Sequence, residues 1–235
     1  MKISLIHPSR GRAEIAYKAF MHWLLCSTMN SHIEHILSID SDDEDLSKYK
    51  TLFQKSKIII SENKNLVEAT NIAAKVCTGD IIILISDDML CPDGWDLYLK
   101  EFHHNHKNYL LKTFDGVQKW IVTLPIMDRL FYESNGYIYH PDYKHMFCDT
   151  DLTHKADLEK KLIIRNDLEF THAHYSVGKS VRDAINVKAD ATLQQGETIY
   201  LERCRNKFGL DKHINLFDLS AEGMQHIKWL NKKFQ

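Results

Sequence analysis

Apolar residues follow two rhythms along the first half of the chain. Short unbroken runs, ISLI at 3–6, IEHILSID at 33–40, KIIIS at 57–61 and DIIILIS at 80–86, are each bounded by polar clusters. Such runs read as buried strands. Between them the apolar positions recur at helical spacing: Ile15, Ala16, Ala19, Phe20, Trp23 and Leu24 within 13–28. Asn65 with Glu68 three residues later has the form of a helix start. Leu66, Ala69, Ile72, Ala73 and Val76 are the expected buried face of that helix, and Gly79 its end. Pro92 suits the first turn of a further helix carrying Trp95, Leu97, Leu99 and Phe102. Alternation of strand and helix predicts an α/β fold with a mostly parallel sheet covered on both faces.

The second half is less regular. WIVTLPI (120–126) reads as a strand, and SNGYIYHPDY (134–143) as a hairpin or shaped loop. DTDLTHKADLEKK (149–161) predicts a helix with acids at its positive end. KLIIRNDLEFTHAHYS (161–176) carries a strand and a His-x-His, and 197–208 and 221–234 read as amphipathic helices. The expected division is a main domain over 1–185 with a helical extension over 186–235 packed on it.

In sheets of this kind ligands gather at the carboxyl ends of the strands. HPSRGR, DSDDED and SDD each directly follow a strand. Asp87 and Asp88 close the most apolar strand of the chain, and oxygen donors in that place suit magnesium or manganese. His172 and His174 lie two apart, so on a strand both face one side and either can serve as a ligand. Arg10 and Arg12 are candidate partners for phosphate or base. Asp149 and Asp151 flank a helix start, where one can act as a general base or merely cap. The HHNH cluster at 103–106 has the wrong spacing to stack on one helical face and reads as a solvated helix end. HPSRGR matches neither phosphate-loop nor dinucleotide-binding patterns, and the chain has only nine glycines.

Composition narrows the classes. The chain has 235 residues and a net charge of -2, so it offers no polybasic surface and no support for nucleic-acid binding. Five cysteines without a C-x-x-C pair argue against a disulfide framework and a structural zinc site. No apolar stretch approaches the ~20 residues that span a bilayer. With the short apolar core of the N-terminus, the expectation is a cytoplasmic protein.

In order and spacing, residues 3–185 resemble the GT-A-fold glycosyltransferases of the family 2 type. The segments that carry the resemblance are HPSRGR, the acids ending the second strand, NKNLVEATNIAAKVCTGDIIILISDDM, NGYIYHPDYKHMFCDTDL and the downstream histidines. The resemblance implies a Rossmann-like GT-A sheet, with Pro8, Ser9 and Arg10 lining a nucleotide pocket and Asp40 or Asp43 at the base. It further implies Asn71 near the nucleotide, Asp87 at the ribose, Asp88 on Mn2+ or Mg2+ with His172 or His174, and Asp149 as the base. Two positions depart from the pattern: Ser86 stands in place of the first acid of the Asp-x-Asp motif, and Cys148 in place of the Glu before the base. The implied activity is metal-dependent inverting transfer from a nucleoside diphosphate sugar, a UDP-sugar being the first candidate, to an acceptor hydroxyl. Trp120, Tyr137, Tyr139 and Tyr143 are candidates to stack on that acceptor. The competing readings are a sugar-phosphate nucleotidyltransferase, a zinc hydrolase built on the two histidines, and a non-catalytic carbohydrate-binding module.

Overall fold

The apolar runs become the centre of one sheet in the computed structural model, which describes residues 1–173, 178, 182–211, 213–215 and 218–233. Strands β1 (Ile3–Pro8), β2 (Ile33–Asp40), β3 (Lys57–Ser61) and β4 (Ile81–Leu84) pair in parallel in the order β3-β2-β1-β4. The sheet continues through β6 (Ile126–Asp128), β5 (Leu110–Phe114) and β7 (Leu162–Glu169), giving seven strands. β6 runs antiparallel to both its neighbours, and β5 and β7 are parallel to each other. This is the mostly parallel α/β sheet expected from the pattern.

Strand alternation feeds two cores. Ile6, Ile82 and Leu84 face one side of the sheet, packed with Val67, Phe131 and Leu152. Ile3, Leu5, Ile81 and Ile83 face the other, packed with Trp23, Tyr49 and Trp95. Because both faces are covered, β4 is IIIL with every residue buried. Its charged neighbours in sequence are thereby expelled to the strand end.

Helix α1 (Ala13–Leu25) buries Ala16, Ala19, Phe20 and Trp23 as expected, but Ile15 is 53% exposed. In α3 (Leu66–Ala74) the Asn65 side chain accepts from the Glu68 N–H at 3.0 Å, and the Glu68 carboxylate accepts from the Lys64 N–H at 2.7 Å. Its buried stripe is Val67, Ala69, Thr70, Ala73 and Ala74, rotated from the expected one, so that Leu66, Ile72 and Val76 are half-buried. Gly79 does not end this helix. It lies in the turn into β4, where a Cβ would stand 2.5 Å from Ser4 Oγ. Helix α4 (Trp95–Asn105) follows Pro92 and buries Trp95, Leu99 and Phe102, while Leu97 is exposed.

The second half corrects several expectations. Only Ile126 of WIVTLPI enters β6, since Pro125 lacks the N–H a ladder needs. SNGYIYHPDY forms no hairpin: Ser134 and Asn135 end α5 (Arg129–Asn135), and Gly136 closes it in the left-handed region at φ 75°. Helix α2 (Leu46–Leu52), α5 and strand β5 were not anticipated from the pattern. Helix α6 (Cys148–Leu158) occupies the expected place. The boundary expected at 185 falls inside α7 (Ala184–Asp190). Tyr200 of α8 (Leu193–Arg205), Phe208 and Leu219 belong to the same core as α6, so these C-terminal residues complete that core. Helix α9 (Ala221–Lys233) follows. Among the described residues no helix is long and apolar enough to cross a membrane.

Candidate active site

A cleft of about 790 Å³ opens at the carboxyl ends of β1, β2 and β4 and is closed by the N-terminus of α6 and by α7. Pro8, Ser9, Arg10 and Arg12 line it from the loop after β1, Asp40 and Asp42 from the end of β2, and Ser86, Asp87 and Asp88 from the end of β4. Three polar clusters expected from separate stretches of sequence therefore share one space.

The first wall is a fixed guanidinium. Arg10 pairs with Asp40, and both its terminal nitrogens reach Asp42 at 2.8 and 3.0 Å. Hydrogen bonds to Asp42 and Asp40 raise its pKa further. The other Asp40 oxygen accepts from Asn63 Nδ2 at 2.9 Å. Arg12 binds Asp183, the N-cap of α7, at 2.5–2.7 Å and stands 3.9 Å from Asp87. It thus ties the helix over the cleft to the cleft floor.

Asp87 is held from below. His7 Nε2 donates to its Oδ1 at 2.9 Å, and Ser9 Oγ donates to its Oδ2 at 3.1 Å. His7 Nδ1 meets His35 Nε2 at 3.1 Å, and His35 Nδ1 meets Ser56 Oγ at 2.7 Å. One tautomer chain satisfies all of these: Ser56 donates to His35, His35 to His7, and His7 to the carboxylate. Burial, and then the neighbouring His7, push the His35 pKa well down, so this chain stays uncharged at its inner end.

Asp88 faces the other way. Ser86 Oγ donates to its Oδ1 at 2.6 Å, and His172 Nε2 lies 3.3 Å from its Oδ2. The other ring nitrogen of His172 is 3.8 Å from Asp115 Oδ2. Backbone bonds stitch these strands of chain together: Leu90 N–H to Thr171 O, Ala173 N–H to Asp88 O, and His172 N–H to Asp115 O, all 2.8–2.9 Å. Burial works against a charged His172, but the facing carboxylates of Asp115 and Asp88 outweigh it and lift its pKa to about 9. Burial likewise opposes ionisation of Asp115, yet His172, Thr123 and two backbone N–H groups hold it down at about 2. Asp115 was missed in the sequence: it closes the stretch LLKTFD, whose apolar run is broken by Lys112 and Thr113, a weaker signal than the run before Asp87. His174 lies outside the described residues.

Asp149 lines the cleft from the first turn of α6, and its Oδ1 accepts from the Thr150 N–H at 2.7 Å. Burial raises its pKa, against the hydrogen bonds from Thr150. The helix enters through Phe147 at φ 72°, a left-handed conformation that costs a non-glycine residue energy. Asp151 does not line the cleft. It is buried in a pair with Arg203 (Nε 2.5 Å, terminal nitrogen 3.2 Å) and accepts from the Tyr143 hydroxyl at 3.0 Å.

Other expected positions lie elsewhere. Asp43 is 6% exposed, accepts from the Gly11 and Asp45 N–H groups at 2.8 Å, and does not line the cleft. Asn71 also stays outside it, accepting from the N–H groups of Ile138 and Tyr139 and donating to the Tyr139 carbonyl. Of the four aromatic residues only Tyr139 lines the cleft. Tyr143 is buried core, Tyr137 packs edge-on against His140, and Trp120 is half-buried in a loop. In the histidine cluster His103 meets Lys107 and His106 stacks on Phe102, as a helix end does.

Comparison with known proteins agrees with this geometry. The family model described as glycosyl transferase family 2 matches residues 24–117. No curated protein matches the chain in sequence. Among solved structures, S. aureus TarS superposes with a TM-score of 0.60 at 15% identity, over 86% of this chain and 43% of the TarS chain. The chain thus spans less than half the length of that protein. TarS 1-349 in complex with UDP-GlcNAc gives a TM-score of 0.59 at 15% identity, over 88% of this chain and 75% of that one. A mannosyltransferase from Pyrobaculum calidifontis, in complex with GDP-Man and Mn2+, gives 0.56 at 10% identity, over 100% of this chain and 81% of the other. Sheet order and these superpositions give the chain the GT-A fold, and within it residues 24–117 match the glycosyl transferase family 2 model.

Proposed function

We propose that the protein transfers a sugar from a nucleoside diphosphate sugar to an acceptor hydroxyl, with inversion at the sugar carbon. The observation that carries this reading is one cleft lined by both the Asp88–His172 pair and the half-buried Asp149. A donor between them would have its diphosphate at the first and its reacting carbon toward the second.

The donor set fits a divalent cation of the manganese or magnesium kind: carboxylate oxygen and imidazole nitrogen 3.3 Å apart, at a strand end, open to the cleft. Asp88 and His172 would hold it, and when bound it would offset the charge that develops on the departing diphosphate. Asp87, fixed by His7 and Ser9, is placed to accept from a ribose hydroxyl. Arg10, Asp40 and Asn63 form the polar wall for the base. Asp149 takes the proton of the acceptor hydroxyl as it attacks. Its raised pKa makes it a stronger base than an exposed aspartate. Uridine donors come first for testing, because TarS structures are described with UDP and UDP-GlcNAc.

Release of nucleoside diphosphate from a panel of nucleotide sugars, with and without manganese, tests the reading. Wild-type protein should release it only with the metal, and Asp88→Ala should not, while keeping the wild-type circular dichroism. Metal-dependent release that survives Asp88→Ala removes the role given to that residue.

A further inference from the structure

A group of side chains of metal-ligating type lies outside the cleft lining, where the end of α1 meets the loop after Asp88. His22 and Cys26 are one helical turn apart at the end of α1, so their side chains stack. Cys91 comes from the loop between Asp88 and α4. One ligand atom from each lies within 4.8 Å of the other two.

The geometry matches a soft tetrahedral site. Cys26 Sγ is 3.7 Å from the His22 ring nitrogens. With Zn–S near 2.3 Å and Zn–N near 2.05 Å, the sulfur–nitrogen edge of a zinc tetrahedron is about 3.6 Å. The histidine tautomer is also set. His22 Nε2 lies 3.1 Å from the Cys91 carbonyl, which only accepts, so Nε2 carries the proton and Nδ1 keeps its lone pair. A ligating histidine usually donates its other N–H to such a carbonyl.

The backbone keeps these groups in register without a metal. The Gly94 N–H donates to the Cys26 carbonyl at 2.7 Å, Trp23 Nε1 to the Met89 carbonyl at 2.8 Å, and Trp95 Nε1 to the Trp23 carbonyl at 2.9 Å. Cys91 is buried, while His22 and Cys26 are half-buried and leave an entry from solvent.

We propose that His22, Cys26 and Cys91 bind a thiophilic divalent cation of the zinc class, which clamps the loop after Asp87 and Asp88 to α1. The inference does not depend on the reaction assigned to the cleft.

Zinc and cobalt binding by the full chain, reduced and freed of metal by a chelator, tests it. The protein should take up zinc in competition with a chromophoric chelator. Cobalt should give a thiolate-to-metal charge-transfer band, which a carboxylate–imidazole site does not produce. The double variant Cys26→Ser/Cys91→Ser should abolish the band, and each single change should weaken zinc binding by about 100-fold or more, since even outer-shell changes cost 10–100-fold. Cys204→Ser should leave both readings unchanged. Wild-type protein without the cobalt band, or a band that survives in the double variant, overturns the proposal. The cobalt spectrum of the wild type decides the matter even where a serine variant fails to fold.

Discussion

Asp149→Asn and Asp151→Asn should fail in opposite ways. The two carboxylates are two residues apart on α6, yet one lines the cleft and the other is locked in the core. Asp151 is 3% exposed and Arg203 13%, with three hydrogen bonds converging on the carboxylate. Removing one member of a buried pair costs about 3–5 kcal/mol. The asparagine oxygen can keep one of the three bonds, so about 2–4 kcal/mol is expected here. For a chain of this length that corresponds to a melting temperature lower by roughly 5–15 °C. At a temperature where the variant remains folded, its release of nucleoside diphosphate should stay near wild type. Asp149→Asn should lose about two to four orders of magnitude in rate through loss of the base. It should not lose stability. A carboxylate whose pKa is raised in the fold binds more protons folded than unfolded, so its ionisation costs stability as pH rises above the ordinary aspartate range. A neutral amide removes that cost at neutral pH. Thermal unfolding by circular dichroism, paired with single-turnover product release, separates the two effects. A stable but inactive Asp151→Asn, or an active and destabilised Asp149→Asn, would refute the assignment.

Three further outcomes follow from the packing. Asn71→Ala removes three hydrogen bonds to the 138–139 backbone and should cost about 2–3 kcal/mol in urea unfolding, with faster proteolysis of that loop; unchanged stability would show the loop is held by something else. His172, with its pKa raised to about 9, contributes stability in the metal-free protein that is full below about pH 6.5 and lost as pH rises through about 9, worth about 3 kcal/mol. His172→Ala should flatten that pH dependence, and a wild-type profile flat to pH 10 would count against the pairing with Asp88 and Asp115. Gly79→Ala places a Cβ 2.5 Å from Ser4 Oγ and 2.6 Å from its backbone nitrogen, and should lower stability by about 1–3 kcal/mol; a neutral result would mean that β1 and the turn can move apart.

Much of the site was legible because it obeys local rules. Asp87 and Asp88 follow a strand that is apolar on both faces, and Asn65 and Glu68 mark a helix start that forms with both expected hydrogen bonds. Asp40 and Asp43, by contrast, end the same strand and read alike in the sequence. Only one of them reaches the cleft, because the turn folds Asp43 back onto Gly11. Asp149 and Asp151 are a second such pair, separated by the 100° that each residue turns around a helix. The sequence argued against a zinc site from the spacing of its cysteines. Cys26 and Cys91, 65 positions apart in the numbering, meet only because α1 and α4 pack on the same face of the sheet.

The sequence by itself determined the four parallel strands of the first half, that the sheet is mostly parallel and covered on both faces, and that polar groups collect at its carboxyl edge. Those features depend on hydrophobic periodicity and on residues a few positions apart, and both are written along the chain. The tertiary structure alone decided which acids face one another. It set His172 between Asp88 and Asp115, ran the His7–His35 chain beneath Asp87, and brought α7 over the cleft through Arg12 and Asp183. These pairings join residues up to 171 positions apart. They are fixed by how elements pack, and no local pattern encodes that.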